Sequence, residues 1–200
     1  MFLQSLVLVI VFAAGPQQSR PADTTNKVAD TTNKALDEFE DRLKQYRELH
    51  KKAEAAAPPV DKKKEDSQSI VAHERAVSSA IRASRKNAAE GDIFTPAVQK
   101  LLVATIAGAL SPARGTRGRT AKEMILGEGN PKHPESKAQI TLAVNAKYPE
   151  HAPLSTVPPS VLLKLPTLPE GLEYRFVGRH LILFDLKANL IVDILRNAIR

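Results

Sequence analysis

A chain of 200 residues provides enough material for one or two small domains. It contains no cysteine, which excludes disulfide bonds, thiolate metal sites and a cysteine-linked lipid anchor. Its 29 basic and 22 acidic residues give a formal net charge of +7, which favours contact with anionic surfaces. Aromatic residues make up only 4% and tryptophan is absent, so aliphatic side chains must fill the core.

The first residues form an apolar run, 2–14, that closes on small residues. This run is shorter than the ~20 residues of a transmembrane helix and has the length of a signal-peptide core. We therefore expect residues 1–15 to be a signal peptide and the protein to be periplasmic or secreted, without nucleic acid as a partner. A buried N-terminal strand is the alternative.

A tandem repeat follows, with ADTTNKV at 22–28 and ADTTNKA at 29–35. A seven-residue duplication lengthens a helix without shifting its face. However, Thr, Asn and Asp are poor helix formers that favour turns and caps. We therefore predict a disordered linker over residues 16–34.

Residues 35–110 are predicted to form a helical domain. The first helix, 35–57, carries an apolar stripe at spacings of three and four that includes Phe39. The second covers 69–89 and is ended by Gly91. These two helices suggest an antiparallel hairpin, although the first stripe also suits a coiled coil. A third helix begins at Thr95-Pro96, an N-cap followed by a proline at the first helical position.

A basic linker with a short helix from Thr120 is predicted over 111–136, where RGTRGR carries no acid. Arginine and backbone N–H groups near glycine suit an anion, so Arg114, Arg117 and Arg119 are candidate anion- or partner-binding residues. A flexible solvated linker is the alternative. No aromatic residue is interleaved with these arginines, as stacking on nucleic-acid bases would require.

Residues 137–200 are predicted to form a small α+β domain with a strand at 139–145 and one helical turn between 154 and 165. Alternating apolar residues from 172, a Gly178-Arg179 turn and two further apolar runs then predict a three-stranded antiparallel meander. The fold class is therefore α+β, with a helical hairpin or bundle before the meander. Arg175, Arg179 and His180 gather near the hairpin turn as further anion- or partner-binding candidates, or as the exposed rim of the sheet.

This meander also resembles a known hairpin. LEYRFVGRHLILFD, followed by NLIVDIL, is similar to the C-terminal hairpin of small periplasmic proteins that include the nickel/cobalt-homeostasis family. The whole chain resembles an uncharacterised family of exported bacterial proteins, with which it shares GDIFTP and LSTVPPSVLLKLPTLPEGLEYRFVGR. The second resemblance implies export and carries no activity.

No catalytic or metal-binding pattern stands out. The five histidines are scattered without a short ligand spacing, and the nucleophile elbow, P-loop and dinucleotide fingerprint are absent. We expect no cofactor and no metal, and a non-catalytic binding or accessory protein acting on an envelope protein or an anionic surface. The alternative is a hydrolase-like or metal-dependent enzyme that assembles distant groups, namely His73, Asp92, His180 and Asp185.

Overall fold

The structure of the chain, a computed structural model, describes residues 21–60, 67–111, 116–127, 142–149 and 157–199. The predicted signal peptide lies outside these residues. Helices precede a small sheet, which confirms the predicted α+β class. The elements are α1 (Pro21–Ala56), α2 (Ser67–Ser84), α3 (Pro96–Ala109), α4 (Thr116–Leu126), α5 (Pro159–Leu162), β1 (Leu172–Val177), β2 (His180–Asp185) and β3 (Leu190–Leu195).

Helix α1 contains both copies of the seven-residue repeat, so residues 21–34 are helical where the sequence analysis predicted a linker. A period of seven is close to two helical turns, and each copy therefore presents the same face. The threonines, which lowered the predicted helix tendency, are accommodated within the helix. The hydroxyls of Thr31 and Thr32 donate to the carbonyls four residues earlier, at 2.8 and 2.9 Å.

The first two helices form the predicted antiparallel hairpin. Pro58, which follows α1, meets His73 within α2, and the Arg85 guanidinium after α2 lies 5.2 Å from the centre of the Tyr46 ring. The first contact pairs the end of α1 with the first half of α2, and the second pairs the end of α2 with the middle of α1, as antiparallel packing requires. Helix α2 ends at Ser84 and not at residue 89, because the chain turns there. The following loop contacts β3 through Arg85 and Gly91.

Helix α3 begins after Thr95 with Pro96 in its first turn, as predicted. The Thr95 side chain makes no capping hydrogen bond and instead donates to Glu38 Oε2 of α1 at 3.0 Å. One position earlier, Phe94 stacks on Phe39 of α1, with ring centroids 6.0 Å apart. The start of α3 is therefore fixed against α1 by one polar and one aromatic contact.

The strands form an antiparallel meander in the order β1-β2-β3, which confirms the prediction. Val177 pairs with His180 across the two-residue turn, where Gly178 has the positive φ of 61° expected at its first position. The β2–β3 register shifts between Leu183 and Phe184, as it does at a bulge.

Residues 145–148 cover the first half of the outer edge of β3. Asn145 N–H donates to Ile191 O, and Ile191 N–H donates to Ala146 O. The strand predicted at 139–145 is wrong for residues 142–145, because the chain turns there and Asn145 adopts a φ of 63°. Residues 139–141 lie outside the described ranges. A turn with one left-handed residue covers the sheet edge in its place.

Each face of the sheet is buried, and the burial joins the two halves of the chain. One face, with Phe176 and Leu183, shares a single hydrophobic cluster with α1, α2 and α3. The other face forms a smaller cluster in which Phe184 meets Tyr148 at 5.5 Å. The predicted division at 111–136 therefore does not separate two cores among the described residues.

Within the described ranges, none of the helices has both the length and the apolar character that a membrane span needs.

Candidate functional site

A cluster of contacting polar side chains surrounds Asp185, the last residue of β2. The carboxylate is 1% exposed and accepts a hydrogen bond from the Tyr46 hydroxyl at 2.6 Å through Oδ2. Its Oδ1 accepts the backbone N–H groups of Lys187 and Ala188 at 3.0 and 2.9 Å. The carboxylate thus closes the β2–β3 turn and connects that turn to α1.

His50 lies one helical turn after Tyr46 on the same face of α1. Its Nε2 is 3.2 Å from Asp185 Oδ2, and its Nδ1 is 3.6 Å from Glu54 Oε2. Glu54 Oε1 in turn contacts Lys187 Nζ at 3.1 Å. We call Tyr46, His50, Glu54, Asp185 and Lys187 the Asp185 cluster. It alternates acidic groups with donors across the junction between α1 and the sheet.

The charges of the Asp185 cluster stabilise one another. The hydrogen bond with Asp185 raises the pKa of His50, although burial opposes the rise. Burial acts to raise the pKa of Asp185, but the hydrogen bonds from His50, Tyr46 and the Ala188 N–H lower it below its ordinary value. Burial and the nearby Asp185 raise the pKa of Tyr46 far above its ordinary value. The arrangement favours an imidazolium, a carboxylate and a neutral phenol.

The Asp185 cluster contains side chains that could transfer protons, but their polar atoms already contact one another. The cluster borders a cavity of about 140 Å³ whose lining contains no serine, threonine or cysteine. Both ring nitrogens of His50 face carboxylates, so neither is directed at a substrate. Among the described residues, no group of three His, Cys, Asp or Glu side chains is arranged to hold a metal ion. The geometry suits a structural role, in which polar contacts hold α1 against the β2–β3 turn.

A second buried aspartate, Asp193 of β3, holds the loop between α2 and α3. Its carboxylate is fully buried and accepts the backbone N–H groups of Gly91, Ile93 and Phe94 at 2.9, 2.7 and 2.7 Å. Burial raises the pKa of Asp193, and these amide donors oppose the rise. Gly91 has a φ of 93°, a conformation that side chains rarely adopt. We call this arrangement the Asp193 anchor.

The four groups of the hypothetical enzyme do not meet in the structure. His73 Nδ1 lies 2.7 Å from Pro58 O, and Asp92 Oδ2 accepts the Ala89 N–H at 3.0 Å. His180 Nδ1 accepts the Asn197 N–H at 3.0 Å. Asp185 belongs to the cluster with α1. Each group therefore serves its own local contact.

The basic candidates fare differently from one another. Arg114 lies outside the described residues, whereas Arg117 and Arg119 lie in the first turn of α4. A loop was predicted there, with the short helix starting only at Thr120. Residues 116–119 form the first turn of α4, so the predicted loop conformation is wrong for them, and their role in binding an anion stays a prediction.

The hairpin candidates take up two separate environments. Arg175 pairs with Glu173 on the same strand, and its Nε is buried without an acceptor among the described residues. Arg179 is exposed in the turn, where its carbonyl accepts the Ile199 N–H at 3.1 Å. His180 contacts the segment that follows β3. The structure keeps Arg179 beside His180 but directs Arg175 to its neighbour Glu173.

A groove that the sequence analysis missed lies between α3 and the segment 195–199, with a volume of about 870 Å³. Ile106, Leu110 and Ile199 are buried along it. Ala104 and Ala107 form exposed parts of its wall. We call it the α3 groove. The sequence could not indicate it, because residues from the middle of the chain and from the segment after β3 line it.

The Asp185 cluster carried a weak signal that the sequence analysis did not use. Tyr46 and His50 are polar positions within the otherwise apolar stripe of α1, four residues apart. Asp185 ends a strand of buried residues. Buried polar groups need partners, so each of these positions called for one elsewhere in the chain. Their pairing required knowledge of which helix packs on the β2–β3 turn.

No family model, curated protein or solved structure matches this chain. The resemblances to the nickel/cobalt-homeostasis hairpin and to an exported bacterial family therefore stay predictions.

Proposed function

We propose that this chain is an exported, non-catalytic binding or accessory component of the bacterial cell envelope. Two features of the sequence support export and attraction to anionic partners, namely the apolar run at 2–14 and the net charge of +7. The described helices offer no span for membrane insertion, which is compatible with a peripheral role.

The observation that carries the non-catalytic part is the saturation of the two buried carboxylates. Asp185 and Asp193 are the buried acidic side chains of the described structure, and each accepts at least three hydrogen bonds. A general base or metal ligand needs an uncommitted oxygen directed at its substrate or ion. Both carboxylates instead satisfy donors of their own chain.

The enzyme alternative draws no support from its residues. His73, Asp92, His180 and Asp185 occupy separate contacts, and only Asp185 is fully buried. A site assembled from distant residues would bring several of them into one concave pocket with shifted pKa values.

The proposal is tested on the protein purified from its native cells after fractionation. We expect the envelope fraction to contain a form shortened by about fifteen residues, as intact-mass analysis would show. Metal analysis of the same sample is expected to find no stoichiometric metal. A variant with two leucines of the apolar run replaced, Leu6→Arg with Leu8→Arg, should remain full-length in the cytoplasm.

Two results would contradict the proposal independently. A full-length wild-type protein confined to the cytoplasm would remove export. A stoichiometric metal, with an activity abolished by Asp185→Asn at unchanged stability, would replace the binding role with the enzyme alternative.

A further inference from the structure

The outward side of α2 carries charges of a single sign. Val71, Arg75, Arg82 and Lys86 recur at spacings of four, seven and four residues, which places them along one side of the helix. The residue before Lys86 still donates its N–H to the carbonyl four positions earlier, at 2.9 Å, so this row continues just past the end of α2. All four side chains are exposed, and we call them the α2 face.

The positive charge of the α2 face is not balanced by acids. Among the described residues of α2, no exposed side chain is acidic, and the partly buried Glu74 lies 3.9 Å from Lys147 Nζ. The basic side chains of the α2 face form no ion pair within the described ranges. The exposed surface of α1 differs, because acids such as Asp41 and Glu48 alternate there with lysines and arginines. The α2 face therefore attracts anions.

One end of the α2 face borders a surface depression of about 640 Å³ between α2 and the turn at 143–146. Ser79, Arg82 and Lys86 provide hydrogen-bond donors from the side of the helix. Its described lining residues include no aspartate or glutamate. An anionic group in this depression would therefore meet donors and no charge of its own sign.

Exposed apolar side chains lie at the other end of the α2 face. Val71 is 40% exposed, and Ile70 beside it is 52% exposed. A soluble polyanion would leave both side chains in water. The surface of a phospholipid bilayer instead offers anionic headgroups beside an apolar interior, so it can contact the basic and the apolar side chains together.

A protein partner needs more surface than the α2 face provides. The row from Val71 to Lys86 is about 22 Å long and about 10 Å wide, at the dimensions of an α-helix. That area is well below the ~800 Å² that each partner of a stable protein complex covers. Attraction to an anionic membrane requires no such area, because its contributions add residue by residue.

We propose that the α2 face binds an anionic phospholipid surface, with Arg75, Arg82 and Lys86 at the headgroups and Val71 at their border with the acyl chains. Each basic side chain near such a surface strengthens binding about fivefold, so three of them support a peripheral attachment that is sensitive to salt. The inference rests on the binding role proposed above and names the anionic surface.

The charges are tested by sedimentation of the purified full chain with vesicles of phosphatidylglycerol and phosphatidylcholine in equal parts, or of phosphatidylcholine alone. The apolar run at 2–14 is present in every sample, so the difference between the two vesicle types isolates the charge. We expect stronger binding to the anionic vesicles. Arg75→Gln with Arg82→Gln should weaken it about 25-fold. Arg42→Gln with Arg47→Gln, at two exposed arginines of α1, removes the same net charge and should weaken it less than about threefold.

The apolar contact is tested at Val71. Val71→Ser should weaken binding to the anionic vesicles about threefold, because less apolar surface then leaves water. Its binding to long-chain polyphosphate, a soluble polyanion without an apolar phase, should be unchanged. Val28→Ser is the matched control, because Val28 is 61% exposed on α1 and lies outside the α2 face. Thermal melts monitored by circular dichroism show whether each variant is folded.

Three results would overturn the assignment. They are equal binding of the wild-type chain to anionic and neutral vesicles, equal weakening by the two pairs of arginine substitutions, and unchanged vesicle binding of Val71→Ser. The second would indicate general attraction by net charge, and the third would indicate a soluble polyanion as the partner. Each of them would leave the proposed function standing, because that proposal is judged on export and metal content.

Discussion

Asp185 and Asp193 lie on neighbouring strands, and each ties the sheet to the helical half of the chain by a different chemistry. Asp193 accepts backbone N–H groups from the loop before α3. Asp185 accepts two backbone N–H groups of its own turn but reaches α1 through the side chains of Tyr46 and His50. One connection is made of amides and the other includes a titratable ring.

The two connections differ in their dependence on pH. We call the Asp193 anchor the permanent connection and the link from Asp185 to α1 the pH-dependent one. Backbone amides keep their protons throughout the neutral range, so the Asp193 anchor depends only on its own carboxylate. The link from Asp185 to α1 also depends on the protonation of His50, whose pKa is raised by the Asp185 hydrogen bond. We therefore expect α1 to loosen from the β2–β3 turn at alkaline pH while the loop before α3 stays in place.

The largest expected effect comes from Asp193→Ala. The substitution leaves the buried N–H groups of Ile93 and Phe94, and that of Gly91, without their acceptor. An unsatisfied buried donor costs about 1–3 kcal/mol, so the free energy of unfolding should fall by at least about 3 kcal/mol. Urea denaturation monitored by circular dichroism measures this loss. A loss below 1 kcal/mol would show that the anchor is dispensable.

Leu183→Ala in β2 is an apolar substitution with which the loss of unfolding free energy at the two aspartates can be compared. Leu183 is fully buried and pairs with Asp193 in the strand register. Truncation of a buried leucine typically costs ~2–5 kcal/mol through lost transfer energy and the cavity left behind. The same urea titration at pH 6 and at pH 9 should give equal losses, because no titratable group is removed. An effect near zero would be incompatible with the central position of β2.

His50→Gln tests the pH-dependent connection and should cost about 1.5–3 kcal/mol at pH 6, the range for a hydrogen bond to a charged group. The sign of the pH dependence follows from the raised pKa of His50. Its contribution is complete below the unfolded value of about 6.5 and is lost as the pH rises through the higher folded value. The lowered pKa of Asp185 makes its own contribution complete above about pH 4 and lost in acid.

The measurement is the free energy of unfolding of wild type and His50→Gln from pH 5 to pH 10. The difference between the two curves should shrink at alkaline pH, where the wild-type ring is neutral and keeps at most an uncharged hydrogen bond to Asp185. His73→Gln is the matched control, because His73 contacts only the carbonyl of Pro58 in the hydrogen bonds described. Parallel curves over the whole range would show that the Asp185 link to α1 does not depend on protonation.

Local patterns were sufficient for most of the fold. The apolar stripe around Phe39, the Thr95-Pro96 start of α3 and the Gly178 turn each express a rule that acts within a few residues. The repeat at 22–35 was misjudged because intrinsic propensity is a weak prior. Neighbouring helical turns outweighed it, and the threonine hydroxyls found acceptors inside the helix.

The polar contacts could not be predicted from the sequence, because they join positions that are far apart in the chain. Tyr46 and Asp185 are 139 residues apart in sequence, and Asp193 meets residues about 100 positions earlier. Residues 142–145 illustrate the same limit, since their alternating pattern indicated a strand. The turn at Asn145 instead meets Arg85, whose guanidinium also donates to Val192 O at 3.1 Å. Such choices depend on tertiary packing and not on the local pattern.

The smallest expected effect comes from Glu90→Gln, which probes a third connection between the same two regions. Arg196 Nε donates to Glu90 Oε2 at 3.0 Å, next to the Asp193 anchor in sequence, but both side chains are about 40% exposed. Hydrogen bonding from Arg196 lowers the pKa of Glu90, yet solvent and salt screen an exposed pair. The loss of unfolding free energy should therefore stay within about 1 kcal/mol and shrink further in 1 M salt.

Glu48→Gln provides its control, because Glu48 pairs with Lys51 inside α1 and joins no second region. Equal small effects from Glu90→Gln and Glu48→Gln would show that exposed pairs add little, wherever they lie. A loss from Glu90→Gln close to that from Asp193→Ala would instead mean that burial is not what distinguishes the two aspartates. The exposed pair would then hold the loop before α3 as firmly as the buried carboxylate does.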